Sequence, residues 1–226
     1  QKLFIVPIDN NNSLIAGSFT RTICLKDTIR INNRFGTYIF AAIIDSTGNI
    51  EKRIISIGAG NNILTDAIAD KSGNLYLGGS FDKYIRFDKM SFRSVGKNDG
   101  FVFCLNKLLE PVFEKQIGSV YDDDVQSMVV DNQGNLVVTG GYSEELRTSG
   151  IKLPLVSGKT DVFVIKFNSK GIAIWSDGFG SKANDYSTSI AINKIGRIYI
   201  TGSTRGSIIK DQFKTKVGET GNNIFI

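Results

Sequence analysis

The chain has 226 residues, 41% of them hydrophobic and 22% charged, with a formal net charge of +5, a profile expected of a soluble globular protein rather than of a disordered or fibrous one. It contains no histidine, which excludes Ser-His-Asp and Cys-His catalysis and histidine-based metal sites from this sequence. Its longest apolar run, Tyr38 to Ile44, is far below the roughly 18 residues that cross a bilayer as a helix.

In chain order, the first predicted strand runs from Leu3 to Ile8 and turns at Asp9 into a second strand, Ser13-Leu-Ile-Ala-Gly17. A long connector leads to a third strand through Phe40, and a fourth ends at Ile57-Gly58. The same order then returns. Ala67-Ile-Ala-Asp70 turns through Ser72-Gly73-Asn74 into Leu75-Tyr-Leu and a glycine. Asp99 to Asn106 is the third strand, and the fourth carries Phe113 and ends at Ile117-Gly118. The next unit reads Ser127 to Asp131, Leu136 to Gly140 and Asp161 to Asn168, and its fourth strand carries Trp175 and ends at Phe179-Gly180. Ser189 to Asn193 and Ile198 to Gly202 open the last unit, which reaches Phe225.

The turn acids and their equivalents, at 9, 70, 131 and 193, lie 61, 61 and 62 residues apart, so one supersecondary unit is repeated. In the turns, Asp can hydrogen-bond the backbone ahead of it, and Gly takes the positive φ that a Cβ penalises. Phe40, Phe101, Phe163 and Phe225 share one repeat position on one face of the third strand. These phenylalanines and Trp175 are read as core. No segment keeps helical spacing.

Four antiparallel strands with one recurring apolar face bury that face only by stacking on neighbours. The predicted fold is therefore all-β: a β-propeller of four-stranded antiparallel blades, about 61 residues each. The sequence holds about 3.75 blades of it, near 1–57, 58–117, 118–179 and an incomplete 180–226, in one region spanning 1–226. Because the order of strands breaks off inside the fourth unit, the protein is expected to continue past Ile226 and complete a ring.

Ile190-Ala-Ile-Asn193, the Gly-x-Ile-Tyr-Ile-Thr-Gly run ending at Gly202, Asp161-Val-Phe-Val-Ile-Lys-Phe167 and the late Trp175 resemble the bacterial SBBP-type β-propeller repeat. The resemblance covers essentially the whole chain and is best over 131–192. It implies a secreted or cell-surface bacterial protein and brings no family-wide active site.

Charge is uneven along the repeat. The four connectors between second and third strands, 20–37, 82–98, 143–160 and 204–221, hold 16 of the 27 Lys and Arg but seven of the 22 acids. That is a net +9 on the connectors and −4 elsewhere. Strand parity places them on one face with the unit-to-unit loops, and leaves tight turns on the other. Their short alternating runs predict an extra hairpin on each blade.

The connector residues Arg86, Lys89, Arg93, Arg147, Lys152, Arg205 and Lys210 are the candidate partner-binding set, suited to a protein or an anionic glycan. The plainer reading of the same charges is solubility and edge protection. The expected role is a non-catalytic scaffold or binding module, a candidate subunit of a larger surface complex. No cofactor, metal or catalytic residue is assigned, and neither nucleic acid nor membrane insertion is expected.

The alternative is a polysaccharide hydrolase or lyase with carboxylates in a central funnel. Tyr121-Asp-Asp-Asp124 allows a calcium reading, but the spacing lacks alternating ligands, and turn capping is preferred. Asn11-Asn-Ser13 fits a glycosylation pattern. Cys24 and Cys104 have no ligand-like spacing, and small buried side chains are expected rather than a disulfide.

Overall fold

The computed structural model describes residues 2–25, 27–30, 36–148, 150–155, 158–208 and 223–225. Among them there is no helix. The first sheet comprises β1 (Leu3–Pro7), β2 (Asn12–Phe19), β5 (Tyr38–Asp45) and β6 (Ile50–Ile55), paired antiparallel in that order. Between β2 and β5 a separate hairpin is formed by β3 (Thr22–Leu25) and β4 (Asp27–Arg30). A short β7 (Ile57–Ala59) leads to β8 (Asn62–Ala69), β9 (Leu75–Phe87), β10 (Met90–Leu105) and β11 (Pro111–Ile117), the second sheet. The third sheet pairs β12 (Asp124–Val130), β13 (Leu136–Tyr142), β16 (Asp161–Phe167) and β17 (Ala173–Phe179). Its connector forms the hairpin of β14 (Leu146–Thr148) and β15 (Ile151–Leu153). The fourth sheet contains β18 (Asp185–Ile192), β19 (Ile198–Thr204) and β20 (Asn223–Phe225).

One turn chemistry joins most of these strands. Asp70 accepts hydrogen bonds from the backbone N–H of Ser72 and Asn74 at 2.8 and 2.9 Å, while Gly73 adopts φ 83°. Asp131 and Asn193 repeat this between first and second strands, and Asp45, Asn106 and Asn168 use it between third and fourth. At Asp9 the bonds go instead to the N–H of Asn11 and Asn12, a turn one residue tighter, as the sequence spacing requires.

The sheets pack face to back. Period-two alternation gives each sheet a front and a back. Leu14, Ala16, Ile39 and Ala41 on the back of the first sheet pack against Leu75, Leu77, Phe101 and Phe103 on the front of the second. Tyr76, Val102 and Cys104 on the back of the second meet Met128, Leu136, Phe163 and Ile165 on the front of the third. Val137, Val162 and Val164 then meet Ile190 and Ile200. Hydrogen bonds lock the same interfaces. Met128 N–H donates to Asp66 at 2.7 Å, and Leu64 N–H donates to the Ser18 hydroxyl at 2.7 Å.

A bulge recurs in the first strands of the second, third and fourth sheets, at Leu64/Asp66, Val125/Ser127 and Ser187/Ser189, but not in β1. It brings backbone oxygens close to the second strand. A Cβ on Gly79 would lie 1.9 Å from the Ile63 carbonyl oxygen, and one on Gly140 would lie 1.8 Å from that of Asp124. The glycine of the repeat is thus a close-approach position inside a strand that runs on, not the end of the strand.

Two further expectations are corrected. Gly58 does not close the first unit's fourth strand, as Gly118 and Gly180 do in theirs. It lies in β7, which pairs with β9 of the next sheet, and its missing side chain admits the Tyr84 carbonyl. Trp175, expected in the core, is 38% exposed in this chain. Its counterpart Phe113 is covered by the turn at Gly171 of the following sheet. The repeated Phe40, Phe101 and Phe163 are buried; the Phe225 side chain lies outside the described residues.

Candidate functional site

The connectors and the sheet-to-sheet loops lie at one end of the sheets. Asn98 donates to Asp122 at 2.7 Å, Asp123 N–H donates to the Asn98 carbonyl, Asn61 N–H donates to Asp82 at 2.7 Å, and the Ser143 hydroxyl donates to the Asp122 carbonyl. The tight turns meet at the other end, where Asn132 donates to the Lys194 carbonyl.

The predicted hairpins are present in the first three connectors. The second and third are amphipathic, because alternation sends successive side chains to opposite faces. In the β9–β10 extension, Ile85, Phe87, Met90 and Phe92 enter the core between first and second sheets, with Phe87 and Phe92 stacked on Phe103 at 5.6 and 5.5 Å. In the β14–β15 hairpin, Leu146 and Leu153 enter the core between second and third. These two hairpins are wedges that fill the space between neighbouring sheets. This inward role was not visible in the sequence, although its alternating signal was.

The outward face of the β9–β10 extension carries the candidate charges. Register pairs Tyr84 with Arg93 and Arg86 with Ser91, and β7 lies alongside with Ile57 opposite Arg86. Arg86, Lys89 and Arg93 are all exposed. The Arg93 guanidinium lies 5.2 Å from the Tyr84 ring centroid, within cation–π range. Ile57 and Val95, 56% and 66% exposed, flank the two arginines.

The other candidates fall elsewhere. Arg147 and Lys152 are direct cross-strand partners in the β14–β15 hairpin. Lys152 is paired with Glu145 at 3.2 Å, and the Arg147 side chain lies outside the described residues. Arg205 is exposed just past β19 in the fourth sheet, and Lys210 lies outside the described residues. The basic positions therefore form separate patches. A cleft of about 540 Å³, lined by Val95, Ser119, Val120, Glu144 and Glu145, opens between the first two patches and puts acids there. Lys97 is likewise neutralised, 3.8 Å from Asp122.

The acidic run behaves as a cap. Asp123 accepts from the backbone N–H and hydroxyl of Ser119, and Asp185 repeats the arrangement with Ser181. Burial pushes the Asp123 carboxyl up to about 6, against those hydrogen bonds and with the negative charge of Asp99 adding to the rise. Burial also raises Asp124, which accepts from Gly141 N–H and Gln126. Asp122, Asp123 and Asp124 line a cavity of about 290 Å³ with Thr160 and Tyr186. No group of three or more acidic or cysteine side chains among the described residues is arranged to hold a metal ion. Neither Cys24 nor Cys104 is in a disulfide; Cys24 is exposed, contrary to expectation, and burial pushes the Cys104 thiol up to about 12.

Against known proteins, the chain matches no family model and no curated sequence.

Proposed function

We propose that the four sheets are a sector of a β-propeller of the SBBP-repeat type, secreted or displayed on a bacterial surface. In this reading the region is a non-catalytic scaffold that binds a protein or an anionic glycan through the end bearing the connectors. Front-to-back stacking at three successive interfaces supports the radial arrangement. The front of the first sheet belongs to the same series: Leu3 and Ile5, 63% and 65% exposed, hold the positions of buried Leu64 and Ala67. A back face of the same repeat fits over it.

The observation that carries the binding role is the two-sided hairpin. Its inner face is committed to the core, and its outer face keeps Arg86 and Arg93 in solvent where structure alone requires no charge. The cavity carboxylates of Asp123 and Asp124 already accept hydrogen bonds from their own scaffold, which favours a structural over a catalytic use.

The test is an array of anionic glycans and acidic proteins read for binding and for product release. Saturable, salt-sensitive binding without turnover is expected, weakened by reversing Arg86, Arg93 and Arg147. Affinity untouched by those reversals, or product release abolished by one Asp or Glu change, would overturn the reading.

A further inference from the structure

Resting on that basic-face reading, we propose that the outward face of β7, β9 and β10 takes an extended acidic peptide rather than a sugar polymer. The spacing comes first. Arg86 stands opposite Ser91, two residues from Arg93 along β10. The two positions are thus offset by about 7 Å along the strands, the repeat of side chains at i and i+2 in an extended chain. An acidic residue at every second position meets both guanidinium groups without bending.

Charge and surface chemistry point the same way. Arg86 and Lys89 make no ion pair among the described residues, and the Arg93 guanidinium lies over a neutral ring while its carbonyl accepts from Gln116. The acids of this hairpin are Asp82, held at its base by Asn61 N–H, and Asp88 in the turn at φ 58°. Neither lies between the arginines. Arginine also offers the planar donor fork that carboxylates fill in pairs.

A sugar would want an open aromatic face, but the Tyr84 ring is already covered by Arg93. Ile57, directly opposite Arg86, instead offers an exposed apolar flank, which suits an apolar residue of a peptide, whereas Val95 faces the cleft of Glu144 and Glu145. The ligand is therefore an extended segment with alternating acids and an apolar residue beside them.

The experiment uses three labelled probes at low and moderate salt. One is a peptide of alternating glutamate and threonine ended by leucines, one is its glutamine counterpart, and one is a sulfated oligosaccharide of equal charge. The acidic peptide is expected to bind, and the double variant R86E/R93E to weaken it by about tenfold, with an unchanged melting midpoint. Equal binding of the glutamine peptide, or no loss in R86E/R93E, would overturn the inference. Binding of the oligosaccharide alone, with the same arginine dependence, would overturn it while leaving the basic-face reading intact. Binding of neither anionic probe would overturn both.

Discussion

Gly134 and Gly140 belong to one sheet and are glycine for different reasons. Gly134 sits in the turn at φ 79° with open space where a Cβ would be, so Gly134→Ala costs only backbone strain, about 1 kcal/mol. Gly140 has no such φ but faces a carbonyl and the Phe163 ring, so Gly140→Ala forces β12 and β13 apart. Denaturant unfolding should show the second variant losing clearly more, about 2 kcal/mol or above. Equal losses would refute the close-approach account.

Asp123 makes a second residue-scale prediction. Its carboxyl titrates near 6 when folded and near 3.8 when exposed. Between those values the unfolded chain releases a proton that the folded chain keeps, so stability falls as pH rises through that window. The loss is complete above about pH 6 and is on the order of 3 kcal/mol for a shift of this size. Melting midpoints measured from pH 4 to 7 should fall less steeply in Asp123→Asn than in the unaltered protein; parallel curves would contradict the assignment. Asp131 works oppositely. Burial raises it, but the Lys166 ammonium at 2.7 Å and the turn donors outweigh this and hold it near 2.

At the scale of elements, the hairpins separate stability from binding. Phe87 is fully buried and stacked on Phe103, so Phe87→Ala should cost about 3–4 kcal/mol. Arg86, its chain neighbour, points to solvent, and Arg86→Ala should stay within about 0.5 kcal/mol. Similar losses for both in thermal unfolding would mean that the hairpin is not a wedge.

Much of this element was legible beforehand. Alternation in Tyr84-Ile-Arg-Phe and Ser91-Phe-Arg already predicted a hairpin here, and the register of the structure puts Arg86 and Arg93 on one face of it. What alternation lacks is the identity of the neighbour. It did not reveal that Ile85, Phe87, Met90 and Phe92 close the gap between two sheets, nor that β7 leaves the first sheet to extend the second. Nor did it reveal that Glu145 takes up Lys152 and that Glu144 and Glu145 line the cleft between the patches, since those contacts depend on how separate connectors meet.

Across the whole molecule, the recurrence of turn acids carried the all-β fold, because Asp70, Asp131 and Asn193 dictate local geometry that any neighbour must accept. Burial followed less well. Phe113 and Trp175 share a repeat position but not an environment, since cover is supplied by the next sheet rather than by the residue's own. The same dependence makes the first sheet informative. Its front presents Leu3, Ile5 and Phe40 at positions that its successors bury against a back face.

The radial arrangement is tested most directly by a residue-resolution map of the whole protein, from crystals or from electron microscopy. The account predicts a four-stranded sheet laid back-first over Leu3 and Ile5, in a ring around a channel bordered by β1, β8, β12 and β18. A helix, a sandwich partner or open solvent against those two side chains would contradict it.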